Sequence, residues 1–486
     1  MESRYIAAIE IGSSKIKGIV ATVDATKAIA ITAVEETDSG DSVRYGRVQN
    51  AREASQRVND IIRRLENNPR LNGGHITTVF VANGGRSVMS AYAEATVRLG
   101  GEAEITRQVV ERLHKEARYA LATDRDILAI DDRRYVVDNT EVKKIIGTFG
   151  NSVHGEFTFV TASPENLRNL DRVKIESHGK DIPRSYLPRI MALASLVLSD
   201  SERQLGSMLV DLGAETTTVA IYRNNALMML ATLPMGSANI TRDLSTGLGI
   251  TLQAAENLKL TKGRAAADRL KNPDPDADTT EINNYVSARA GEIIANILNI
   301  INADNSGFKP ADLPGGIILC GGGSRLKGFD TMLETISKMK VRRAAVDGGI
   351  TGGGMETASH IDAIALVKYA ADTTDQNCVE FDAAPVAETA PAQQAATTAT
   401  PAATAAPAAA VTPGRRAVPA EDDPSLLDDD IEDQPDNINS DELPEPGPDA
   451  ETTRKNLIQR FMNWLSAPKE VGLDEDMSHT PEDPKS

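Results

Sequence analysis

Cysteine, tryptophan and basic charge are scarce in this sequence of 486 residues. The two cysteines, Cys320 and Cys378, cannot build a disulfide framework and have no metal-ligand spacing, which indicates a reducing compartment. We place Cys378 in a C-terminal tail. The net charge of −18 gives no indication of a nucleic-acid partner. No run approaches the roughly 18 apolar residues that cross a bilayer, and the N-terminus lacks the pattern of a secretory signal, so we expect a cytoplasmic protein.

Acidic charge is concentrated near the C-terminus. Residues 373–486 contain 24 acidic and 7 basic side chains, a net charge of −17, whereas residues 1–372 contain 46 and 45. Residues 373–453 are rich in Ala, Pro, Asp and Glu, and this composition cannot bury enough apolar surface to offset the entropy of ordering. We predict a near-neutral globular body, a disordered linker over 373–453 and a disordered acidic tail over 469–486.

Hydrophobic patterning predicts an α/β body from about Tyr5 to Tyr369, because short β-branched runs alternate with helical patterns. YIAAIEI, IKGIVATV and KAIAITAVEE indicate three successive strands, and AREASQRVNDIIRRLE indicates the helix that follows. A further helix, TRQVVERLHKEARYAL, and strands in ILAIDDRRYVVD and GEFTFVTAS lie between residues 84 and 162.

A strand–turn–strand pattern occurs twice. AIEIGSSKIKGIVAT and LVDLGAETTTVAIYR align Glu10 with Asp211 and Gly12 with Gly213, a shift of 201 residues in both cases. Glycine lets backbone N–H groups approach a phosphate, hydroxyl side chains add donors, and a carboxylate can hold hydrated Mg²⁺. One such hairpin is usually an ordinary turn, but two that face each other could bind a triphosphate from both sides.

A third glycine-rich segment follows the apolar run GGIILC. Gly321, Gly322 and Gly323 precede Ser324, and a loop without side chains could accept the flat face of a nucleoside. The alternative is a plain strand-to-helix turn, although three consecutive glycines exceed what a turn needs.

In this order, the three segments resemble the actin, Hsp70 and sugar-kinase superfamily and, within it, the FtsA family of bacterial cell-division proteins. IAAIEIGSSKIKGIV, LPMGSANITRDLSTGLGITLQAAENLKLTKGRA, GGIILCGGGSRLKGFDTMLE and RKNLIQRFMNWL carry the resemblance. It implies an α/β, actin-like (ribonuclease H-like, duplicated) two-domain fold with an inserted small αβ subdomain, a disordered linker and a C-terminal amphipathic helix.

The resemblance also implies a division into subdomains. These are a first core subdomain (1–83, completed by 165–204 and 346–372), an inserted subdomain (84–164), a second core subdomain (205–240 and 305–345) and a small subdomain (241–304). In the family, the inserted subdomain contacts the next subunit and other division proteins; the alternative is a structural insertion. The small subdomain docks the acidic C-terminal peptide of FtsZ, with Arg242, Lys262 and Arg264 as candidates here, although a charge run is usually a solvated face.

The resemblance implies an ATP site with Mg²⁺. It assigns ATP contacts to Gly12, Ser13, Ser14, Lys15, Gly213, Thr216, Gly236, Asn239, Glu256, Lys259, Gly322, Gly323 and Ser324. Glu10 would face Mg²⁺ and Asp211 would hold the ion through water. Without the resemblance, Glu256 and Lys259 would be interpreted as an exposed helix ion pair.

One departure from the family bears on catalysis. This chain has Ala214, Glu215 and Thr218 where the family usually has two glycines and an aspartate, and a glutamate beside a triphosphate would be repelled. We therefore expect nucleotide binding with at most slow hydrolysis, and we assign no catalytic base.

The segment RKNLIQRFMNWLSAP, residues 454–468, predicts an amphipathic helix. At 100° per residue, one face carries Leu457, Ile458, Phe461, Met462, Trp464 and Leu465. Lys455 and Arg460 lie on the other side. A short helix with a strong apolar face and a basic polar face is typical of the bilayer interface; the alternative is docking in a protein groove.

The resemblance implies an ATP-binding protein that self-associates and tethers FtsZ filaments to the cytoplasmic face of the cell membrane at the division site. Its expected partners are the FtsZ C-terminal peptide, further copies of itself, other divisome proteins and an anionic membrane surface, without nucleic acid. Two alternatives stay open. A sugar-kinase-like phosphotransferase would need a general base, for which we find no convincing Asp, and a pilus-assembly relative should lack the linker and the terminal helix.

Overall fold

The computed structural model describes residues 3–267, 277–302, 308–346, 349–352 and 357–381. The predicted linker up to residue 453, the predicted helix over 454–468 with its eight expected membrane contacts and the predicted tail over 469–486 lie outside these residues. No helix in the described ranges is long and apolar enough to cross a membrane.

The N-terminal part of the chain builds the core of the first half. Its elements are β1 (Arg4–Ile11), β2 (Lys15–Val23), β3 (Ile29–Asp38), β4 (Val43–Arg44), β5 (Arg47–Val48), α1 (Ala51–Glu66), β6 (Gly74–Ile76) and β7 (Val79–Asn83). The three predicted strands and the predicted helix are confirmed. Asn50 begins α1 by accepting the Glu53 N–H, a favourable N-terminal cap.

An inserted unit follows β7. It comprises β8 (Met89–Glu104), α2 (Arg107–Leu121), β9 (Asp126–Val137), β10 (Thr140–Val142) and β11 (Phe149–Ala162). The strands form one sheet in the order β10-β9-β11-β8. Leu113 of α2 packs with Phe157 and Phe159 of β11 in a core separate from the two other hydrophobic cores, so the insertion has its own hydrophobic support.

The chain then completes the first half and builds the second. The elements are α3 (Pro164–Asp171), β12 (Glu176–Ser177), β13 (Lys180–Asp181), β14 (Arg184–Pro188), α4 (Arg189–Val197), α5 (Asp200–Leu205), β15 (Ser207–Leu212), β16 (Thr217–Arg223), β17 (Ala226–Leu233), α6 (Ser237–Leu248), α7 (Leu252–Thr261), α8 (Ala277–Asn302), β18 (Ile317–Cys320), α9 (Phe329–Ser337), β19 (Val341–Arg343), β20 (Ile350–Thr351), α10 (Ile361–Thr373) and β21 (Val379–Phe381).

The two main sheets share the topology of five strands, and the first sheet has one further edge strand, β20. The first has the order β14-β7-β1-β2-β3-β20, and the second has the order β19-β18-β15-β16-β17. In both, the central strand is antiparallel to the next strand in sequence and parallel to a later one. The registers also match, because Ile11 pairs with Ile16 and Leu212 with Thr217. The sequence repeat is therefore part of a duplication of whole sheets.

Each sheet is covered by helices. In the first half, α1, α4 and α10 pack on the strands around β1 and β2. In the second half, α8 presents Val286, Ile293 and Ile297 on one face, and all three are buried against the second sheet and its helices.

The inserted unit also contacts the second half. Ser90 Oγ accepts the Leu230 N–H at 2.8 Å, the Thr158 hydroxyl donates to the Leu227 carbonyl, and Asp131 accepts the Leu227 N–H. Leu227 and Leu230 belong to β17, the edge strand of the second sheet. These side chains bond backbone groups that an edge strand otherwise leaves unpaired.

The predicted start of the linker at residue 373 is wrong. Cys378 is fully buried, its N–H donates to the Tyr5 carbonyl at 2.8 Å, and its own carbonyl accepts the Thr77 N–H at 2.9 Å. Strand β21 then pairs with β6. The placement of Cys378 in a tail is therefore also wrong. Both errors have one cause, because a three-residue strand is too short to produce a periodic pattern.

Candidate functional site

The turn between β1 and β2 and the turn between β15 and β16 have the same hydrogen bonding. The Gly12 N–H donates to the Lys15 carbonyl at 3.0 Å, and the Gly213 N–H donates to the Thr216 carbonyl at 2.8 Å. A Cβ atom on either glycine would lie 2.9 Å from that carbonyl oxygen. Glycine is therefore required at both positions by this close approach.

Backbone N–H groups of both turns are available to a ligand. No residue in the described part of the chain accepts a hydrogen bond from the N–H groups of Ser13, Ser14, Ala214 and Glu215. Successive N–H groups at a turn form a concave site for anions. Both turns can therefore donate to phosphate oxygens.

The hairpin of β4 and β5 contacts both turns. The Gly46 N–H donates to Ser13 Oγ at 2.7 Å, and the Tyr45 N–H donates to Glu215 Oε2 at 2.7 Å. Adjacent residues of one hairpin therefore link the first turn to the second, and the two turns lie close together.

Glu215 is paired with arginines from both halves. Its carboxylate is buried, lies 3.0 Å from Arg44 Nε and also accepts a hydrogen bond from Arg242 of α6. Two cations and the Tyr45 N–H therefore compensate the charge. The repulsion expected between Glu215 and a triphosphate is reduced accordingly.

A buried charge cluster lies beneath the turns. Arg189, the first residue of α4, donates through Nε to Glu10 Oε1 at 3.1 Å and through Nη2 to Asp362 Oδ1 at 2.8 Å, and it also bonds Asp211. Lys17, opposite Glu10 in the strand pairing, has its Nζ 3.8 Å from Asp362 Oδ2. One guanidinium therefore joins the carboxylates that end β1 and β15.

Burial and neighbouring charge shift the pKa values in this cluster. Burial and the charge of Asp362 raise the pKa of Glu10 to about 7, and burial raises the pKa of Asp211. Burial alone would lower the pKa of Arg189, but the charges of the three carboxylates raise it well above its ordinary value. Arg189 therefore stays charged, whereas protonation of Glu10 reduces the negative charge near neutral pH.

The described side chains do not fit a metal ion held at these carboxylates. Among them, no group of three or more His, Cys, Asp or Glu residues is arranged to bind a metal. Arg189 lies between Glu10, Asp211 and Asp362, and Glu10 Oε2 is buried with no hydrogen-bond partner among the described atoms. With one such oxygen left, these carboxylates do not hold Mg²⁺ by themselves, and a bound ion would take most of its oxygen ligands from water and phosphate.

The start of α6 packs against the second turn. The Ser237 N–H donates to the Gly213 carbonyl at 3.0 Å, and a Cβ on Gly236 would lie 2.6 Å from the same oxygen. Asn239 accepts the Gly236 N–H at 3.0 Å. Two predicted nucleotide contacts, Gly236 and Asn239, thus lie at the turn and also anchor the helix to it.

Glu256 and Lys259 do not form an exposed ion pair. Lys259 is only 6% exposed, and its Nζ lies 2.7 Å from Glu256 Oε2 and 2.9 Å from Thr241 Oγ1. The Thr241 hydroxyl donates to Glu256 at 2.5 Å. Burial lowers the pKa of Lys259, so α6 and α7 hold a largely desolvated ammonium group beside the second turn.

Two of the three glycines after β18 are explained by packing. Gly321 has φ of +85°, and a Cβ there would lie 2.4 Å from the Leu212 carbonyl oxygen; a Cβ on Gly323 would lie 2.7 Å from Leu212 Cγ. At the exposed Gly322, by contrast, an added Cβ meets no atom within 4 Å. The Ser324 hydroxyl donates to the Gly321 carbonyl at 2.7 Å. The loop therefore leaves an open backbone surface at Gly322.

Lys15 and Thr216 complete the set of predicted phosphate contacts. Lys15 is exposed and bonded to Glu36, and Thr216 is half-buried. An exposed pair of this kind contributes about 1 kcal/mol or less, so the Lys15 ammonium can leave Glu36 for a more highly charged anion.

Comparison with known proteins decides the family. The protein-family model described as "Cell division protein FtsA" matches residues 208–365, and the model described as "SHS2 domain inserted in FTSA" matches residues 85–161. The cell division protein FtsA of Porphyromonas gingivalis is 30% identical over 400 residues, which cover 79% of this chain and 81% of that protein. The chain belongs to the FtsA family. The FtsA of Neisseria meningitidis is 28% identical over 358 residues, 71% of this chain and 84% of that protein.

A solved structure supports the fold assignment. The structure titled "PilM-PilN type IV pilus biogenesis complex" is 14% identical, has a TM-score of 0.52 and covers 75% of this chain and 97% of its own. At this identity the likeness concerns the fold alone. The predicted actin-like α/β class with an inserted small subdomain is confirmed for this FtsA-family chain.

Sequence reasoning missed several residues of the site. Arg189, Asp362 and Thr241 had no recognisable motif, and Arg189 and Asp362 are separated by 173 residues. Lys17 could have been found from the sequence, because the register of the β1–β2 hairpin places it opposite Glu10.

The predicted FtsZ-contact residues of this FtsA-family chain lie in different surroundings. Lys262 and Arg264 follow α7 and are exposed. Arg242 is half-buried and bonds Glu215. Arg242 is therefore part of the nucleotide-site candidate, and the other two remain available on the surface.

Proposed function

We propose that this FtsA-family chain binds ATP between its two glycine turns. The observation that carries the proposal is the pair of equivalent turns, held together by Tyr45 and Gly46, with backbone N–H groups that no described residue uses. The phosphates lie against these N–H groups, with the Ser13 and Ser14 side chains and Lys15 beside the first turn. Magnesium ion accompanies the nucleotide on its phosphate oxygens.

The nucleoside lies between the glycine loop and α7. The open backbone at Gly322 accepts a flat ring, and Gly323 and Ser324 support that surface. Glu256, whose side chain is 38% exposed, and the buried Lys259 offer polar groups to the ribose side. Because ATP contacts both halves of the molecule, it stabilises the relative arrangement of the halves that binds it more tightly.

The cellular role that we propose is attachment of FtsZ filaments to the cell membrane. Residues 241–304 receive the acidic FtsZ peptide, with Lys262 and Arg264 as exposed cations, and the helix over 454–468 lies in the interface of an anionic membrane. Self-association makes the attachment of the assembly strong although a single helix binds the membrane weakly, because each helix after the first binds at high effective concentration. The inserted subdomain offers a surface to neighbouring subunits or other division proteins.

Vesicle co-sedimentation tests the membrane role. The full chain, a chain ending at Asp449 and the variants Trp464→Glu and Asn463→Glu are centrifuged with anionic vesicles, with and without ATP. Trp464 lies on the predicted apolar face and Asn463 on the polar face, so the two variants add the same charge to opposite sides.

The full chain and Asn463→Glu are expected in the pellet, and the truncated chain and Trp464→Glu in the supernatant. If the full chain stays in the supernatant under every condition, the membrane role is wrong. Addition of FtsZ filaments to the same vesicles tests tethering, which requires that FtsZ enters the pellet only when the full chain is present.

A further inference from the structure

The Arg189 guanidinium occupies the centre of the carboxylate cluster. It reaches Glu10 at 3.1 Å and Asp362 at 2.8 Å, and it bonds Asp211 through a third nitrogen. Asp211 also places its second oxygen 3.4 Å from Arg189 Nη2. All three carboxylates at the junction of the two halves are therefore bound by one side chain of the protein itself.

We infer that Arg189 is a built-in cation that takes the place of a divalent metal at Glu10, Asp211 and Asp362. This chain consequently binds ATP with little dependence on Mg²⁺. The inference rests on the proposed ATP site. It replaces the earlier expectation that Asp211 holds Mg²⁺ through water and that Glu10 faces the ion.

The charges around Arg189 support this role. With every group ionised, Glu10, Asp211 and Asp362 carry three negative charges, and Arg189 and Lys17 reduce the total to one. Without Arg189, two uncompensated buried charges would remain near the phosphate turns, and removing one partner from a buried ion pair is strongly unfavourable. In a metal-dependent site a divalent ion would supply the two positive charges. Here Arg189 of α4 supplies one positive charge in addition to that of Lys17 on β2, so that one negative charge remains.

The shape of the side chain also matters. A guanidinium is planar and donates in several directions at once, so that it can bind three carboxylates simultaneously, which a single ammonium group does less well. Mg²⁺ needs about six oxygen ligands at about 2.0–2.1 Å in octahedral geometry. Among the buried side-chain atoms that the structure describes, Glu10 Oε2 is the one in this cluster without a hydrogen-bond partner. Direct coordination of Mg²⁺ by more than this one oxygen would require that Arg189 or Lys17 leave the carboxylates.

Arg189 has a further consequence for the phosphates. Because its three nitrogens are directed to the carboxylates, Arg189 acts as a positioning residue and does not contact the nucleotide. The phosphates are bound by the backbone N–H groups of the turns, whose strength does not depend on a metal. A purely structural crosslink would stabilise the fold in the same way, but it would leave the metal dependence of ATP binding unchanged.

Calorimetric titration of the full chain with ATP in excess Mg²⁺ and in excess EDTA tests the inference. For the wild-type chain we expect the two dissociation constants to differ by less than about tenfold, which corresponds to 1.4 kcal/mol. Arg189→Gln is expected to bind ATP more than about tenfold more weakly in EDTA and to recover in Mg²⁺. For Arg189→Lys, the charge-retaining control, we expect a dissociation constant in EDTA between those of the wild-type chain and Arg189→Gln.

The outcomes separate the inference from the proposed function. ATP binding by the wild-type chain that requires Mg²⁺ overturns the inference and leaves the ATP site standing. Absence of ATP binding in both solutions contradicts the proposed function instead. If Arg189→Gln does not fold, as judged by its circular dichroism and thermal transition, the wild-type ratio decides alone.

A nucleotide-free measurement provides a second readout. Mn²⁺ binding is followed by electron paramagnetic resonance, and Arg189→Gln is expected to bind one Mn²⁺ more than the wild-type chain. This extra ion should be lost in Arg189→Gln combined with Asp211→Asn. A wild-type chain that already binds an ion sensitive to Asp211→Asn would show that Arg189 does not exclude the metal.

Discussion

Replacing Glu215 by glutamine tests the contact that joins the two halves of the molecule. The carboxylate is 5% exposed and accepts hydrogen bonds from the Tyr45 N–H and Arg242, with Arg44 Nε 3.0 Å away. Glutamine keeps the size of the side chain and an oxygen for Tyr45. The substitution therefore removes mainly the charge that holds the two arginines.

The expected loss of stability follows from the exposure of the partners. Breaking a fully buried ion pair costs about 3–5 kcal/mol, but Arg44 and Arg242 are 42% and 35% exposed and can be rehydrated. The hydrogen bonds from the Tyr45 N–H and from Arg242 lose a charged acceptor and gain a neutral one. Each such change costs about 1 kcal/mol. We expect Glu215→Gln to lower the free energy of unfolding by about 2 kcal/mol.

Urea denaturation of the full chain measures this change. Glu53→Gln is the matched control, because Glu53 pairs with Arg57 on the surface of α1, where such pairs contribute about 0.5 kcal/mol or less. A double-mutant cycle with Arg242→Met should give a coupling of about 1 kcal/mol. Equal effects of the two glutamine variants, or strictly additive effects in the cycle, would refute this explanation of the contact.

Three further predictions concern the glycine loop, acid stability and the C-terminal boundary of the fold. Gly322→Val should weaken ATP binding at least about tenfold in calorimetry without changing the thermal transition, because no atom lies where its Cβ would be. Burial acts to raise the pKa of Glu202, but the hydrogen bonds from Arg342 and Ser199, together with the charge of Arg342, outweigh burial and lower the pKa to about 2. Arg342→Met should therefore remove about 1 kcal/mol of stability above pH 4.5. Denaturation should show this difference shrinking as the pH falls towards 2. A chain ending at Thr373 should unfold at least about 2 kcal/mol more easily in urea than one ending at Asp382, because it lacks β21 and the buried residues before it.

Each of these has an outcome that would contradict it. A Gly322→Val variant with unchanged ATP affinity would exclude the glycine loop from the site, and Gly321→Val, strained at its positive φ, provides the comparison in which the fold itself is lost. A stability difference that persists at pH 2 would show that Glu202 ionisation does not stabilise the contact with Arg342. Equal stability of the two truncated chains would place β21 outside the cooperative core.

The parts of the fold that depend on local patterns could be predicted from the sequence. Strands β1 and β2 and helix α1 show clear periodicity, and the repeat at a shift of 201 residues indicated the two equivalent turns. Gly12 and Gly213 could be paired in this way because both are required by the same close contact to a carbonyl oxygen. Family resemblance supplied the rest of the fold class.

The charge cluster could not be predicted, because its members come together only in the tertiary structure. Arg189 is the first residue of an apolar helix and Asp362 lies in the first turn of another helix. Neither segment contains a pattern that indicates a contact with Glu10. The burial of Lys259 could not be predicted either, because the spacing of Glu256 and Lys259 indicates that they share a helix face but not what covers that face. Short strands such as β21 were missed because three residues carry no period.

Hydrogen exchange at the two turns tests most directly whether ATP binds between them. Amide exchange in peptides covering residues 12–16 and 213–217 is measured by mass spectrometry with and without ATP. The N–H groups of Ser13, Ser14, Ala214 and Glu215 should exchange rapidly without nucleotide and slow down at both turns when ATP is added. Protection at one turn alone, or at neither, would contradict binding of the phosphates between the two halves.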